Sequence, residues 1–96
     1  MEIISFGNKE TEAFVTSGKL SKNCRWSSQK KVALRKIDMI IFADNASDLR
    51  IPPSNRLEKL KGDLKGYWSI RINDQFRIVF SIENNLIGNI KITDYH

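Results

Sequence analysis

Two successive runs of the chain place an apolar residue at every second position: Trp68, Ile70 and Ile72, then Phe76, Ile78, Phe80 and Ile82. Alternation with a period of two marks a strand with one buried face. Because a slip of one residue would turn a whole apolar set to solvent, the same alternation dictates how the strands pair. Ile72 and Phe76 both belong to buried sets, so the connection between them needs an odd number of residues, most simply Asn73-Asp74-Gln75. That register sets Arg71 opposite Arg77. Parity at Asn84-Asn85-Leu86 predicts another three-residue connection, with Phe80 opposite Ile90, Ile78 opposite Ile92, Arg77 opposite Thr93 and Gln75 opposite Tyr95. Across Gly62 to Gly66 it sets Lys61 opposite Tyr67.

Four strands are therefore expected after Asn55: Leu57 to Lys61, Tyr67 to Ile72, Phe76 to Ile82 and Ile87 to Asp94. Pro52-Pro53 forbids helix and blocks strand ladders, so Asp44 to Asn55 reads as the loop where helical periods give way to strand periods. Upstream, Glu2 to Phe6 reads as a short first strand. Asn8 is placed to cap a helix running to about Thr16 and closed by Gly18. Ser27 or Ser28 can cap a second helix whose apolar positions Ala33, Ile37, Ile40 and Ile41 fall at helical spacing, with Lys31, Arg35 and Asp38 on a solvated opposite face. The expectation is one domain over residues 1–96 of α+β class, two N-terminal helices packed on a mainly antiparallel sheet of four to five strands. At 96 residues there is no room for a large multi-step enzyme.

The formal net charge is +5, and the excess is folded in rather than carried on a tail. Ala13 to Ile37 holds seven basic residues and no acidic one, and Arg50 to Arg77 holds seven basic against three acidic. Such a balance favours an anionic partner such as nucleic acid. One cysteine, Cys24, excludes an intramolecular disulfide and suits a reducing, cytoplasmic setting, and one histidine leaves no metal constellation, so no metal or cofactor is expected. The first residues lack a basic start and a long apolar run, so neither export nor membrane insertion is expected. Gly62 and Gly66 bracket a turn rather than a phosphate loop, and Cys24 has no base beside it.

The register places Lys61, Tyr67, Arg71, Arg77, Lys91 and Tyr95 on the sheet face turned away from the Trp/Ile/Phe core. Two opposed arginines repel, an arrangement most easily explained by an anion between them, and a phosphate suits the fork of Arg and the point charge of Lys. Pairing of Arg71 or Arg77 with Asp74 or Asp94 is the alternative. With Lys59 and Arg56 from the basic segment, Arg71, Tyr67 and Lys91 form the candidate RNA-binding set. Trp26, Tyr67 and Trp68 could stack bases, although parity assigns Trp68 to the core. RNA can be cut without a metal when one group accepts the 2′-hydroxyl proton and another protonates the leaving 5′-oxygen. His96, with an ordinary pKa near neutrality, closes the chain in Asp94-Tyr95-His96.

One combination of segments is specific as a set: Leu49-Arg50-Ile51-Pro52-Pro53-Ser54-Asn55-Arg56-Leu57-Glu58-Lys59-Leu60-Lys61-Gly62-Asp63, then Gly66-Tyr67-Trp68-Ser69-Ile70-Arg71-Ile72-Asn73, Gln75-Phe76-Arg77-Ile78 and Asp94-Tyr95-His96. It closely resembles the HigB-type plasmid maintenance killer toxins of the RelE/ParE superfamily, over nearly the whole chain. The resemblance implies the RelE-like microbial ribonuclease fold and a ribosome-dependent, metal-independent endoribonuclease that cuts mRNA in the decoding site and arrests translation. It also implies a HigA-like helix-turn-helix antitoxin and a higher-order toxin–antitoxin complex on operator DNA. Carried onto this chain, Lys61 and Arg77 contact the scissile phosphate, while Asp94, Tyr95 and His96 orient the RNA and serve acid/base roles. Some relatives carry a His just ahead of the Leu-Lys-Gly turn, where this chain has Glu58, and parity turns Glu58 toward the core. Two other readings stay open: a ParE-like toxin that inhibits DNA gyrase, against which Asp94-Tyr95-His96 argues, and an inactive relative that keeps antitoxin binding.

Overall fold

The computed structural model describes residues 1–94. Strand β1 (Glu2–Ile3) leads into helix α1 (Lys9–Ser17), and helix α2 (Lys30–Phe42) follows. Strands β2 (Glu58–Lys59), β3 (Tyr67–Arg71), β4 (Phe76–Glu83) and β5 (Leu86–Asp94) complete a five-stranded sheet of order β1-β5-β4-β3-β2. β1 runs parallel to β5, and the other pairs are antiparallel. The class is α+β with a mixed sheet.

Local chemistry accounts for the ends of α1. Asn8 is extended and its side chain accepts the Thr11 N–H at 2.8 Å, Glu10 and Glu12 occupy the first turn, and Gly18 turns left-handed at φ 72 to close the C-terminus. α2 begins differently from the expectation of a serine cap. Ser27 lies in a 3₁₀ turn, Ser27–Gln29, and α2 starts at Lys30 with no side-chain cap. The cause is Trp26, which is 2% exposed, packs edge-on against Phe14 and donates its indole N–H to Glu10 at 2.9 Å. With the indole anchored, the Gln29 N–H bonds back to the Trp26 carbonyl and the chain enters the helix through a tight turn. Ala33, Ile37 and Ile40 of α2 then join Ile70, Ile78, Phe80, Ile87, Ile90 and Ile92 in the core.

The β3–β4 register is the one parity demands: Trp68 opposite Phe80, Ile70 opposite Ile78 and Arg71 opposite Arg77. Asn73 organises the three-residue connection, its side-chain oxygen accepting the N–H groups of Gln75 and Phe76. The β4–β5 hairpin corrects the second expectation. Glu83 pairs with Leu86, so the connection is the two residues Asn84 and Asn85, with φ 53 and 65. Two left-handed residues give a turn whose twist matches that of the strands. Parity is restored by a bulge between Val79 and Ser81, where Asn89 and Ile90 together stand opposite Phe80. Past the bulge Ile78 faces Ile92 and Arg77 faces Thr93, as parity demands.

β2 is likewise shorter and shifted by one residue. Lys59 pairs with Trp68, Glu58 pairs with Ser69, and the Leu60 N–H bonds to the Tyr67 carbonyl at 2.9 Å. Leu60, not Lys61, therefore meets Tyr67. Gly62, left-handed at φ 68, starts a 3₁₀ turn that carries the chain out of the strand at Lys61. The shift turns Glu58 onto the face of Ser69, away from the core, opposite to the expectation.

Candidate functional site

On the outer face of the sheet the register sets side chains in rows. Arg71, Arg77 and Thr93 form one row, Glu58, Ser69, Val79 and Lys91 the next, and Tyr67 with Ser81 a third. Arg77 is the most enclosed cation of the set, 8% exposed. Its Nε donates to the Ser69 hydroxyl at 2.9 Å, and its Nη2 donates to the backbone carbonyl of Arg56. Its Nη1 lies 3.7 Å from Glu58 Oε1. Ser69 is fully buried, so the Nε bond satisfies a hydroxyl that would otherwise be stranded.

Arg71, directly opposite, turns to Asp74 and forms an ion pair on the exposed turn. The pairing weighed from sequence for one of the two arginines is therefore present on Arg71. Such exposed pairs contribute only about 0.2–1 kcal/mol, so an incoming phosphate can compete for Arg71. Arg56 is left-handed at φ 44 and exposed, and it serves Arg77 through its carbonyl. Lys61 is exposed at the mouth of the Gly62–Leu64 turn. Lys59 shares a face with Trp68 and sits over its ring at 5.6 Å, so it belongs to the helix side of the sheet edge. Tyr67 and Lys91 are on the outer face, and the Tyr67 hydroxyl accepts the Asn89 side-chain N–H at 2.8 Å.

Asp94 shares the face of Phe76 and Ile92, on the helix side, where Arg25 reaches it at 3.1 Å and Gln75 at 3.2 Å. The structure thus gathers Arg71, Arg77, Lys91 and Tyr67 on one face and sets Asp94 on the other. Tyr95 and His96, and with them the pairing of Gln75 with Tyr95, lie outside the described residues. Trp26 is removed from the base-stacking candidates by its burial. Burial also pushes the Cys24 thiol up from its ordinary range, which suits an inert structural cysteine.

Sequence reasoning missed two members of the outer face. Ser69 is a small polar residue between two core positions, and only the Arg77 bond reveals its use. Glu58 lies on this face, not the core face that alternation predicts, because β2 pairs one residue out of the expected register. Chemically, the face offers cations for a phosphate, with Glu58 as a carboxylate beside one of them. Among the described residues no group of three or more His, Cys, Asp or Glu side chains could hold a metal ion, and no helix is long and apolar enough to cross a membrane.

Comparison with known proteins gives consistent findings. The family described as RelE-like toxin of the type II toxin-antitoxin system HigB matches residues 4–96. Toxin HigB-1 of Vibrio cholerae is 50% identical over 54 residues, 56% of this chain and 57% of that protein. Toxin YoeB of Streptomyces coelicolor is 40% identical over 55 residues, 57% of this chain and 63% of that protein. The aligned segments thus span less than two thirds of these relatives. Among solved structures, the YoeB–YefM toxin–antitoxin heterotetramer of Staphylococcus aureus contains a chain with 25% identity and a TM-score of 0.61, covering 100% of this chain and 97% of that one. A YafQ variant from E. coli superposes with a TM-score of 0.64 at 14% identity, covering 98% and 92%, a likeness of fold.

Proposed function

The chain belongs to the HigB-like family, the RelE-like toxins of type II toxin–antitoxin systems, and from that premise we propose that it is a ribosome-dependent endoribonuclease that cuts mRNA in the decoding site. The observation that carries the reading is the outer-face cluster: Arg77 held in place by Ser69 and Arg56, Arg71 beside it, and Glu58 3.7 Å from Arg77 Nη1.

In this reaction the 2′-hydroxyl oxygen attacks the adjacent phosphorus and loses its proton to a base. The bond to the 5′-oxygen breaks, that oxygen takes a proton from an acid, and a 2′,3′-cyclic phosphate and a 5′-hydroxyl end result. No metal is required. Arg77 and Lys61 supply positive charge to the phosphate oxygens as negative charge develops, the interaction that contributes most when its donors are fixed beforehand. Ser69 and the Arg56 carbonyl fix Arg77 in that way. Arg71, Lys91 and Tyr67 hold the flanking RNA, with Arg56 and Lys59 at the margin.

In this reading Glu58 accepts the 2′-hydroxyl proton, and Asp94, Tyr95 and His96 orient the RNA and supply the acid. The ribosome contributes the alignment of the RNA, a role able to account for a large part of the rate. A HigA-like helix-turn-helix antitoxin, assembled with the toxin on operator DNA, holds the activity in check in the cytoplasm. Expression without antitoxin tests the reading against a gyrase inhibitor: fast loss of protein synthesis with new mRNA ends supports the nuclease. Loss of DNA supercoiling with intact mRNA contradicts it, and harmless expression identifies an inactive antitoxin-binding relative.

A further inference from the structure

At the other end of the outer face from Arg77, Tyr67 stands four residues along β3 from Arg71, roughly 13 Å at about 3.3 Å per residue. Lys91 falls in the row between them. The bulge in β5 delivers Asn89 to the side of Tyr67. Asn89 is left-handed at φ 49, its backbone N–H donates to Ser5 Oγ at 2.8 Å, and its side-chain N–H donates to the Tyr67 hydroxyl at 2.8 Å. Among the described residues the Asn89 side-chain oxygen has no hydrogen-bond donor. The segment after β1 closes the remaining side. The Gly7 N–H bonds to the Ile90 carbonyl at 2.8 Å, and a Cβ at Gly7 would lie 2.7 Å from the Asn89 carbonyl oxygen, so only glycine permits this approach.

The product is a hollow of about 290 Å³ lined by Gly7, Leu64, Tyr67, Asn89 and Lys91. Its walls are an aromatic ring, an apolar side chain, an amide and an ammonium group. A phosphate alone would use only the ammonium, and an apolar peptide would leave the amide and ammonium without purpose. A nucleotide uses all four: the ring and Leu64 for the base plane, the amide for the base edge, and Lys91 for the adjoining phosphate. We infer that this hollow is a nucleobase subsite, which holds a nucleotide of the RNA flanking the cut and reads its edge through Asn89. The inference rests on the nuclease reading above and adds a specificity-determining residue to it. The bulge is then functional, since a regular strand would not bring the Asn89 amide to Tyr67.

The test maps mRNA 5′ ends on translating ribosomes for the wild-type protein, Asn89→Gly and Tyr67→Phe. Glycine keeps the left-handed backbone and removes the amide, while phenylalanine keeps the ring and removes the hydroxyl that orients the amide. The wild type should favour certain nucleotides at one fixed position beside the cut. Asn89→Gly should flatten that preference by about tenfold, the size of one lost bidentate base contact, without moving the cut within the codon. Tyr67→Phe should flatten it in part. Identical nucleotide profiles for all three proteins would overturn the subsite while leaving the nuclease reading intact. If the wild type makes no cuts, the nuclease reading fails and a second readout decides the subsite. Titration of the ¹⁵N-labelled protein with a single-stranded oligodeoxynucleotide, which lacks the 2′-hydroxyl and cannot be cut, should shift the Asn89 side-chain and Gly7 backbone resonances. Resonances that stay in place overturn it.

Discussion

Arg71 and Arg77 stand directly opposite one another on β3 and β4, and their guanidinium groups turn to different partners. Arg71 pairs with Asp74 on an exposed turn, whereas Arg77 is drawn in against Ser69, the Arg56 carbonyl and Glu58. Like charges opposed across a strand pair cost some tenths of a kcal/mol, and the two carboxylates offset that cost while keeping both cations in one row. The arrangement presents a phosphate with one guanidinium enclosed against Ser69 and Arg56 and one paired on the exposed turn.

Because Arg77 is both held and holding, its removal has two effects. Arg77→Ala should lower the rate of cleavage of ribosome-bound mRNA by about 10²- to 10³-fold, the size of a lost oxyanion donor. It should also lower stability by about 1–3 kcal/mol, because the buried Ser69 hydroxyl loses its partner. Single-turnover cleavage and urea denaturation measure the two separately, and a rate within a few-fold of wild type would remove Arg77 from the phosphate.

Glu58 is half exposed and makes only a long contact to Arg77. Glu58→Gln should therefore leave stability within about 0.5 kcal/mol while lowering the cleavage rate on the order of 10²- to 10⁴-fold, the range of a lost general base. A stable variant that cuts at the wild-type rate shows that the proton goes elsewhere.

Much of this was legible in the sequence, and the exceptions have physical causes. Strict alternation at Trp68, Ile70, Phe76, Ile78 and Phe80 left a single register for β3 and β4, and the Arg71–Arg77 pair followed from it. Ile87 and Ile90 are three residues apart, so a regular strand would turn them to opposite faces, yet both join the same core. That spacing was the readable sign of the bulge, hidden by the assumption of an odd connection. β2 holds only two paired residues, too few for alternation to define a face. Glu58 went to the wrong side with it. Asp94 shares the face of Ile92, and the Arg25 that meets it comes from the segment between α1 and α2, which carries no periodicity to read. The contact was beyond pattern reading.

The Asn84-Asn85 turn offers a check on the corrected hairpin. Asn85→Val forces a β-branched side chain into a left-handed backbone and should cost about 1–2 kcal/mol. Asn85→Gly should be neutral or stabilising. Equal denaturation midpoints for the two variants would contradict a two-residue left-handed turn.

Lys36 is almost fully buried and donates to Asn55, and burial, more than the neighbouring Arg35 and Arg71, holds its pKa below the ordinary 10.5. Between the folded and unfolded values the unfolded chain binds the extra proton, so stability rises with pH through that window. The full cost of the buried charge is present below the folded value and fades as the pH climbs to 10.5. Urea midpoints from pH 7 to pH 10 should therefore rise for the wild type relative to Lys36→Met. A constant gap between the two proteins would show that Lys36 is not penalised by burial.

The central claim is that this chain cuts mRNA on the ribosome with acid/base groups that include its last residue. Mapping mRNA 5′ ends on translating ribosomes, with wild-type protein and His96→Ala side by side, tests it most directly. The wild type should produce new ends within the decoding site and the variant should produce far fewer, with antitoxin binding and denaturation midpoint unchanged. No new ends from the wild-type protein, or equal ends from both, would contradict it.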